Sequence, residues 1–148
     1  MTKATPIALD YTRSLFELAK REFAFLTEQG FALVEQQPPT SASFRDGFHL
    51  RYAHDPVDLV VDYYDMELVP SFHRGAERAS YHFIDRYLFA NASGYGGAMF
   101  PVDKLAAALH AVAVDVREHY GLVLSGDDTT WRKIVAMQNA PREKRVLP

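Results

Sequence analysis

Six histidines and one acidic run hold the reactive side chains of this chain. His82 and Asp85 stand three residues apart in SYHFIDRY, with Arg86 beside them. On a helix that spacing puts an imidazole and a carboxylate on one face, the arrangement of an oriented general base. No nucleophile accompanies them, so an ion pair at a surface or subunit contact is the plainer reading. His49 falls opposite Asp62 when the alternating runs around them are paired, and such a cross-strand pair usually stabilises an exposed sheet face. A metal centre needs further ligands at fixed spacing. His54 and His73 lie near in sequence, but no HExxH or similar helical pair exists. No metal and no cofactor is expected. The loop GYGG lacks the GK[ST] ending of a phosphate cradle, and no GxSxG, kinase or deaminase pattern occurs.

Charge placement is the clearest signal. Asp55, Asp58, Asp62, Asp65 and Glu67 fall within thirteen residues that contain no Lys or Arg. Alternation puts Asp58, Asp62 and Tyr64 on one strand face with His49 and Arg51 on the next strand. An acidic face bearing a tyrosine suits a basic protein partner, with charge steering the encounter and Tyr64 supplying contact area. The plainer reading is a solvated face kept acidic for solubility. Opposite charge collects at the other end, in Arg132, Lys133, Arg142, Lys144 and Arg145. That basic tail could fold onto its own acidic strand or onto that of a second copy, the latter making a homodimer.

These residues are positioned by elements with clear signatures. Residues 1–6 read as a loose arm. A helix is expected from about Ile7 or Leu9 to Gln29. With about 100° between residues, Tyr11, Leu15, Leu18, Ala19, Phe23 and Leu26 form one apolar stripe. Glu22 falls inside that stripe, as a carboxylate paired with an arginine or, on a second reading, as a pocket acid. In FAFLTEQGF, Gly30 can end the helix in the left-handed conformation and Phe31 folds back on the last turn. FALVEQQ is a strand stopped by Pro38 and Pro39. FHLRYAH and VDLVVDYYD read as an antiparallel hairpin. Its register pairs Tyr52 with Leu59, Leu50 with Val61 and Phe48 with Tyr63, since a one-residue slip would expose Phe48. Asp55-Pro56 is a poor two-residue turn, so a longer loop is expected.

MELVPSFH is a fourth strand, with Pro70 suggesting an edge or a bend. Residues 75–79 read as a turn, and Ser80 as the cap of a short helix over SYHFIDRYLFAN, a stretch that also tolerates a strand. A helix starting at Pro101 or Asp103 carries the stripe Leu105, Leu109, Val112, Ala113, Val116 and Tyr120, and Gly121 is expected to stop it as Gly30 stops the first. Ser125 or Asp127 caps a last helix, with Trp131, Ile134 and Val135 inward. Residues 141–148 read as a frayed basic tail.

Helices segregated from a run of strands predict an α+β fold over a single domain, residues 1–148. The expectation is an N-terminal helix, an antiparallel sheet of three to four strands, and C-terminal helices packed on one sheet face. Hydrophobic residues at 48% and charged residues at 24% match a soluble globular domain. A formal net charge of −3 argues against a general nucleic-acid binder, which needs a basic surface. The absence of cysteine excludes disulfides and suits a reducing compartment. Neither a signal peptide nor the roughly 20 apolar residues of a membrane span is seen. A cytoplasmic protein without membrane contact is expected.

The helix end FxFLxxxGF, carried by Phe23, Phe25, Leu26, Gly30 and Phe31, is followed by the hairpin YAHDPVDLVVDYYD. Together they resemble small uncharacterised bacterial α+β proteins, some of them similar to immunity proteins of toxin–antitoxin competition systems. The later half adds only a helix pair joined near Leu124-Ser125-Gly126-Asp127. The resemblance implies a non-catalytic cytoplasmic protein that binds another protein, and it transfers no site residue. The leading reading is therefore a protein-binding domain, leaning away from an enzyme, that uses Asp58, Asp62, Tyr64 and Asp65. The alternative is a small-ligand or enzymatic pocket between sheet and helices near Glu22, Tyr63, His82 and Asp85.

Overall fold

The computed structural model describes residues 4–40, 47–64, 67–81, 98–99 and 104–140. Helix α1 (Ala4–Glu22) begins earlier than the stripe suggests. Pro6 sits in its first turn, where a missing N–H breaks no intrahelical bond, so residues 4–6 join the helix and not a loose arm. Leu15, Phe16, Ala19 and Phe23 are buried along one side.

The expected single helix to Gln29 is interrupted. Phe23 N–H still donates to the Ala19 carbonyl at 3.0 Å, but Ala24 donates to Arg21, and Leu26 to Phe23, one residue tighter. A short α2 (Phe25–Glu28) follows. It closes as the sequence predicts. Gly30 N–H donates to Thr27 and Phe31 N–H to Leu26, with Gly30 at φ +95°. That pair of bonds is a Schellman motif, and buried Phe31 and Leu26 bring its apolar ends together.

The chain then forms an antiparallel meander of β1 (Ala32–Gln37), β2 (Phe48–Ala53), β3 (Asp58–Tyr64), β4 (Glu67–Arg74) and β5 (Glu77–Ser80), in that spatial order. A two-residue β6 (Ala98–Met99) pairs with β4 beside Leu68. The sheet thus exceeds the expected three to four strands. The β2–β3 register pairs Tyr52 with Leu59, Leu50 with Val61, His49 with Asp62 and Phe48 with Tyr63, as the apolar alternation requires. Four residues, 54–57, join the two strands.

Pro70 is not on an edge strand. It lies opposite Val61 in β4, between Leu68, which β6 partners, and Ser71, which β5 partners. A residue without an N–H is tolerated where the far edge changes partner. Residues 77–79 belong to β5 and not to a turn, and Ser80 ends that strand directly before helical Tyr81. The helix expected over 80–91 lies outside the described residues beyond Tyr81, itself helical. The edge strand β5 is held by the last helix. Ser80 N–H donates to Gln138 Oε1 at 2.9 Å, and Gln138 Nε2 donates to the Arg78 carbonyl at 2.7 Å. One amide side chain so satisfies two backbone groups of an otherwise open edge.

Helix α3 (Leu105–His119) buries the predicted stripe, with Ala108 added. It ends before Gly121, but Gly121 opens a short α4 (Gly121–Leu124) and has no positive φ, which belongs to Gly126. Helix α5 (Asp128–Asn139) is capped by Asp127, whose Oδ2 accepts from Thr130 N–H at 3.0 Å and Thr130 Oγ1 at 2.8 Å. Trp131 and Ile134 are fully buried. One continuous core joins α1, α3 and α5 to Phe48, Leu50, Tyr52, Leu59, Val61, Tyr63 and Phe72 on one sheet face. Each large apolar side chain so buried contributes about 1.5–3 kcal/mol. The result is an α+β fold with helices at both ends of the chain and a second sheet face that the described helices do not cover. No helix among the described residues is long and apolar enough to cross a membrane.

Candidate functional site

The open face is a lattice of charged side chains set by strand register. His49 lies at its centre. Its Nδ1 is 2.6 Å from Asp62 Oδ1 on β3, and its Nε2 is 2.8 Å from Glu35 Oε1 on β1. Burial pulls the His49 pKa down. The hydrogen bonds and charges of Glu35 and Asp62 outweigh that, so it stands above the ordinary histidine value. With a carboxylate at each nitrogen the ring is a clamp across three strands, and both nitrogens are engaged within the protein.

Glu35 was not legible as part of this site. Simple alternation from Leu33 would point Glu35 at the helices. The register slips between Leu33 and Glu35, a bulge that returns Glu35 to the open face beside Arg51 and leaves Val34 55% exposed. A glutamate on an otherwise apolar strand face was the available signal.

Asp58 serves the hairpin. Its Oδ2 accepts from Arg51 Nε at 3.0 Å and Nη2 at 2.7 Å, and its Oδ1 accepts from His54 N–H at 3.0 Å. Both oxygens are committed, so of the acids expected to bind a partner this one has a structural task already. Asp62 uses only Oδ1 among the described residues. Tyr64 is 46% exposed at the end of β3. Asp65 lies outside the described residues.

Asp62 and Tyr64 meet in one depression of about 250 Å³, with His49, Tyr63, Pro38 and Gly47 among its other walls. Gly47 permits this approach, because a Cβ there would lie 1.5 Å from the Tyr63 carbonyl oxygen. Tyr63 reaches the depression from the helix-facing side. It is nearly buried, stacked on Phe48 with ring centroids 5.6 Å apart. Burial, then the neighbouring Tyr11, raises its phenol pKa above the ordinary value.

Of the residues of the alternative pocket, Glu22 and Tyr63 are described, and neither the depression nor the void beside Tyr63 is lined by both. Glu22 lies on the helical layer, where its carboxylate meets His110 Nδ1 of α3 at 2.9 Å in place of the expected arginine. His82 and Asp85 lie outside the described residues. Beside Tyr63, the void among Leu15, Phe48, Leu68, Leu105 and Leu109 is about 10 Å³, at the threshold for one water molecule. Tyr52 is sealed in the same layer, and burial pushes its phenol up to about 12.

Ser71 Oγ and His73 Nε2 are 3.1 Å apart on β4, the contact of a nucleophile with its base. Ser71 is 2% exposed, so no substrate atom reaches it. Among the described residues no group of three or more His, Asp or Glu side chains could hold a metal ion. The site so defined is a charged sheet face, covered by none of the described helices, with a tyrosine-rimmed depression. Compared with known proteins, the chain matches no family model, no curated protein and no solved structure.

Proposed function

We propose that this protein is a non-catalytic protein-binding domain that docks a basic partner at the Asp62–Tyr64 depression. The observation that carries the reading is the convergence of a carboxylate, one oxygen of which has no partner among the described residues, and an exposed tyrosine in one cavity on this sheet face. A lysine or arginine of the partner takes Asp62 Oδ2 by a charge-assisted bond and lies over the Tyr64 ring as a cation–π contact. Glu35 adds negative potential, and His49 offsets part of it when protonated. The engagement of both His49 nitrogens and the burial of Ser71 support a binding role over a catalytic one. A basic toxin, the partner class implied by the resemblance to immunity proteins, suits this chemistry.

Asp62→Lys reverses the charge at the depression without touching the Asp58 network. Partner affinity falls at least tenfold in this variant under conditions where it stays folded, and its urea midpoint falls only by what loss of the His49–Asp62 bond entails. Unchanged affinity would remove the proposal. A second copy of the chain, offering its basic tail, is the competing occupant. Sedimentation at low and high salt separates the two, since a self-docked protein sediments as a dimer that salt dissociates.

A further inference from the structure

We propose that the opposite end of the open face, between the β2–β3 and β4–β5 turns, binds a small molecule bearing an oxyanion, a phosphate or a carboxylate. A concavity of about 470 Å³ lies there, walled by Arg51, His54, Pro56, Asp58, His73 and Gly75. Small-molecule sites span roughly 300–1,000 Å³, so the ligand has a body beyond the anionic group.

The wall carries Arg51 against Asp55 and Asp58, and its unspent guanidinium donor is cationic. Asp58 is neutralised by the Arg51 fork and by the His54 N–H. That fork uses Nε and Nη2 and leaves Arg51 Nη1 without a partner among the described residues. Arg78 pairs with His73 in the β4–β5 register, so its side chain emerges on the same face. Its guanidinium is exposed and has no ion pair among the described residues. Asp55 is an exposed carboxylate on the wall, where solvent screens it. His54 contributes a buried Nδ1 that no protein group satisfies among the described residues.

The His73 ring reports the local field. Its pKa is lowered first by burial and then by Arg51 and Arg78, which outweigh the opposing pull of Asp58 and Asp62. A positive field from Arg51 and Arg78 at the His73 ring favours an anion beside it. Binding an oxyanion there satisfies Arg51 Nη1 and Arg78 and favours the protonated form of His73. This site shares no residue with the Asp62–Tyr64 depression. The two proposals therefore stand or fall separately.

The test is a titration of the full chain with inorganic phosphate and, separately, with acetate, at constant ionic strength set by sodium chloride. The histidine imidazoles are followed by NMR. The inference predicts a saturable shift at His73 that is absent at His110, and an upward move of the His73 titration midpoint in the bound state. Arg78→Gln, a surface change outside the Asp58 network, weakens that binding roughly two- to fivefold. Saturation by phosphate alone assigns a phosphate ligand, and saturation by both anions assigns a general oxyanion site. Linear drift common to all histidines, or equal affinity in Arg78→Gln, overturns the inference.

Discussion

Asp58→Ala separates hairpin architecture from partner binding. The carboxylate holds Arg51 through two bonds and the His54 amide through a third. The Arg51 and Asp58 side chains are 30% and 24% exposed, so the pair lies between the surface and buried regimes. Surface pairs contribute about 0.2–1 kcal/mol and breaking a buried pair costs about 3–5 kcal/mol. With Arg51 able to turn toward water, about 1–2 kcal/mol is the reasonable share of the pair. The His54 N–H, left without its acceptor in the β2–β3 turn, adds about 1 kcal/mol. The sum is about 2–3 kcal/mol, or a fall in Tm of roughly 4–12 °C for a domain of this size. Urea unfolding with a double-mutant cycle through Arg51→Ala is the assay. A loss under about 0.5 kcal/mol, or strict additivity of the two changes, would refute the reasoning.

The His49 clamp makes stability depend on pH in a definite direction. Its folded pKa is raised, so its contribution is fully present below the unfolded value near 6.5 and is lost as pH rises through the folded pKa. The stability gap between the parent and His49→Gln therefore narrows from pH 6 to pH 8, and a gap that widens would contradict the clamp. Over the same range partner affinity rises, because a neutral His49 leaves the Glu35 and Asp62 charges uncompensated. Gly47→Ala is expected to destabilise by more than the roughly 1–3 kcal/mol of ordinary overpacking, since the added methyl meets the Tyr63 backbone. Gly30→Ala places its methyl in ordinary contact with the His54 ring, 3.5 Å from Nε2, and costs the left-handed strain of about 1–2 kcal/mol. Trp131→Phe removes the 2.7 Å bond from Nε1 to Glu77 and should cost about 1–2 kcal/mol in thermal or urea unfolding.

The elements most legible in the sequence are those whose information is local. Alternation in FHLRYAH and VDLVVDYYD specifies a register because every slip exposes Phe48 or buries Asp62. The Gly30–Phe31 pair states its own helix stop, and Asp127 with Thr130 states a cap. The pieces that were hidden depend on partners distant in sequence. Strand β5 offers only Ala79 as a buried residue. It is held from α5 by Gln138 and by the Trp131–Glu77 bond, neither of which any window around residue 77 contains. The interruption at Phe23–Ala24 leaves the apolar stripe intact, so periodicity does not reveal it. Within the site, the His49–Asp62 pair follows from register, whereas Glu35 arrives by a bulge and Asp58 is claimed diagonally by Arg51. A pattern of period two cannot express an inserted residue or a diagonal contact.

The central claim is that Asp62 and Tyr64 receive a basic partner. The most direct measurement is a quantitative pull-down from the native cell with the tagged parent and the tagged Asp62→Lys variant, at low and high salt, read by mass spectrometry. The account predicts a stoichiometric basic protein on the parent that is lost at high salt and lost in the variant. Equal recovery of that protein by parent and variant would contradict it.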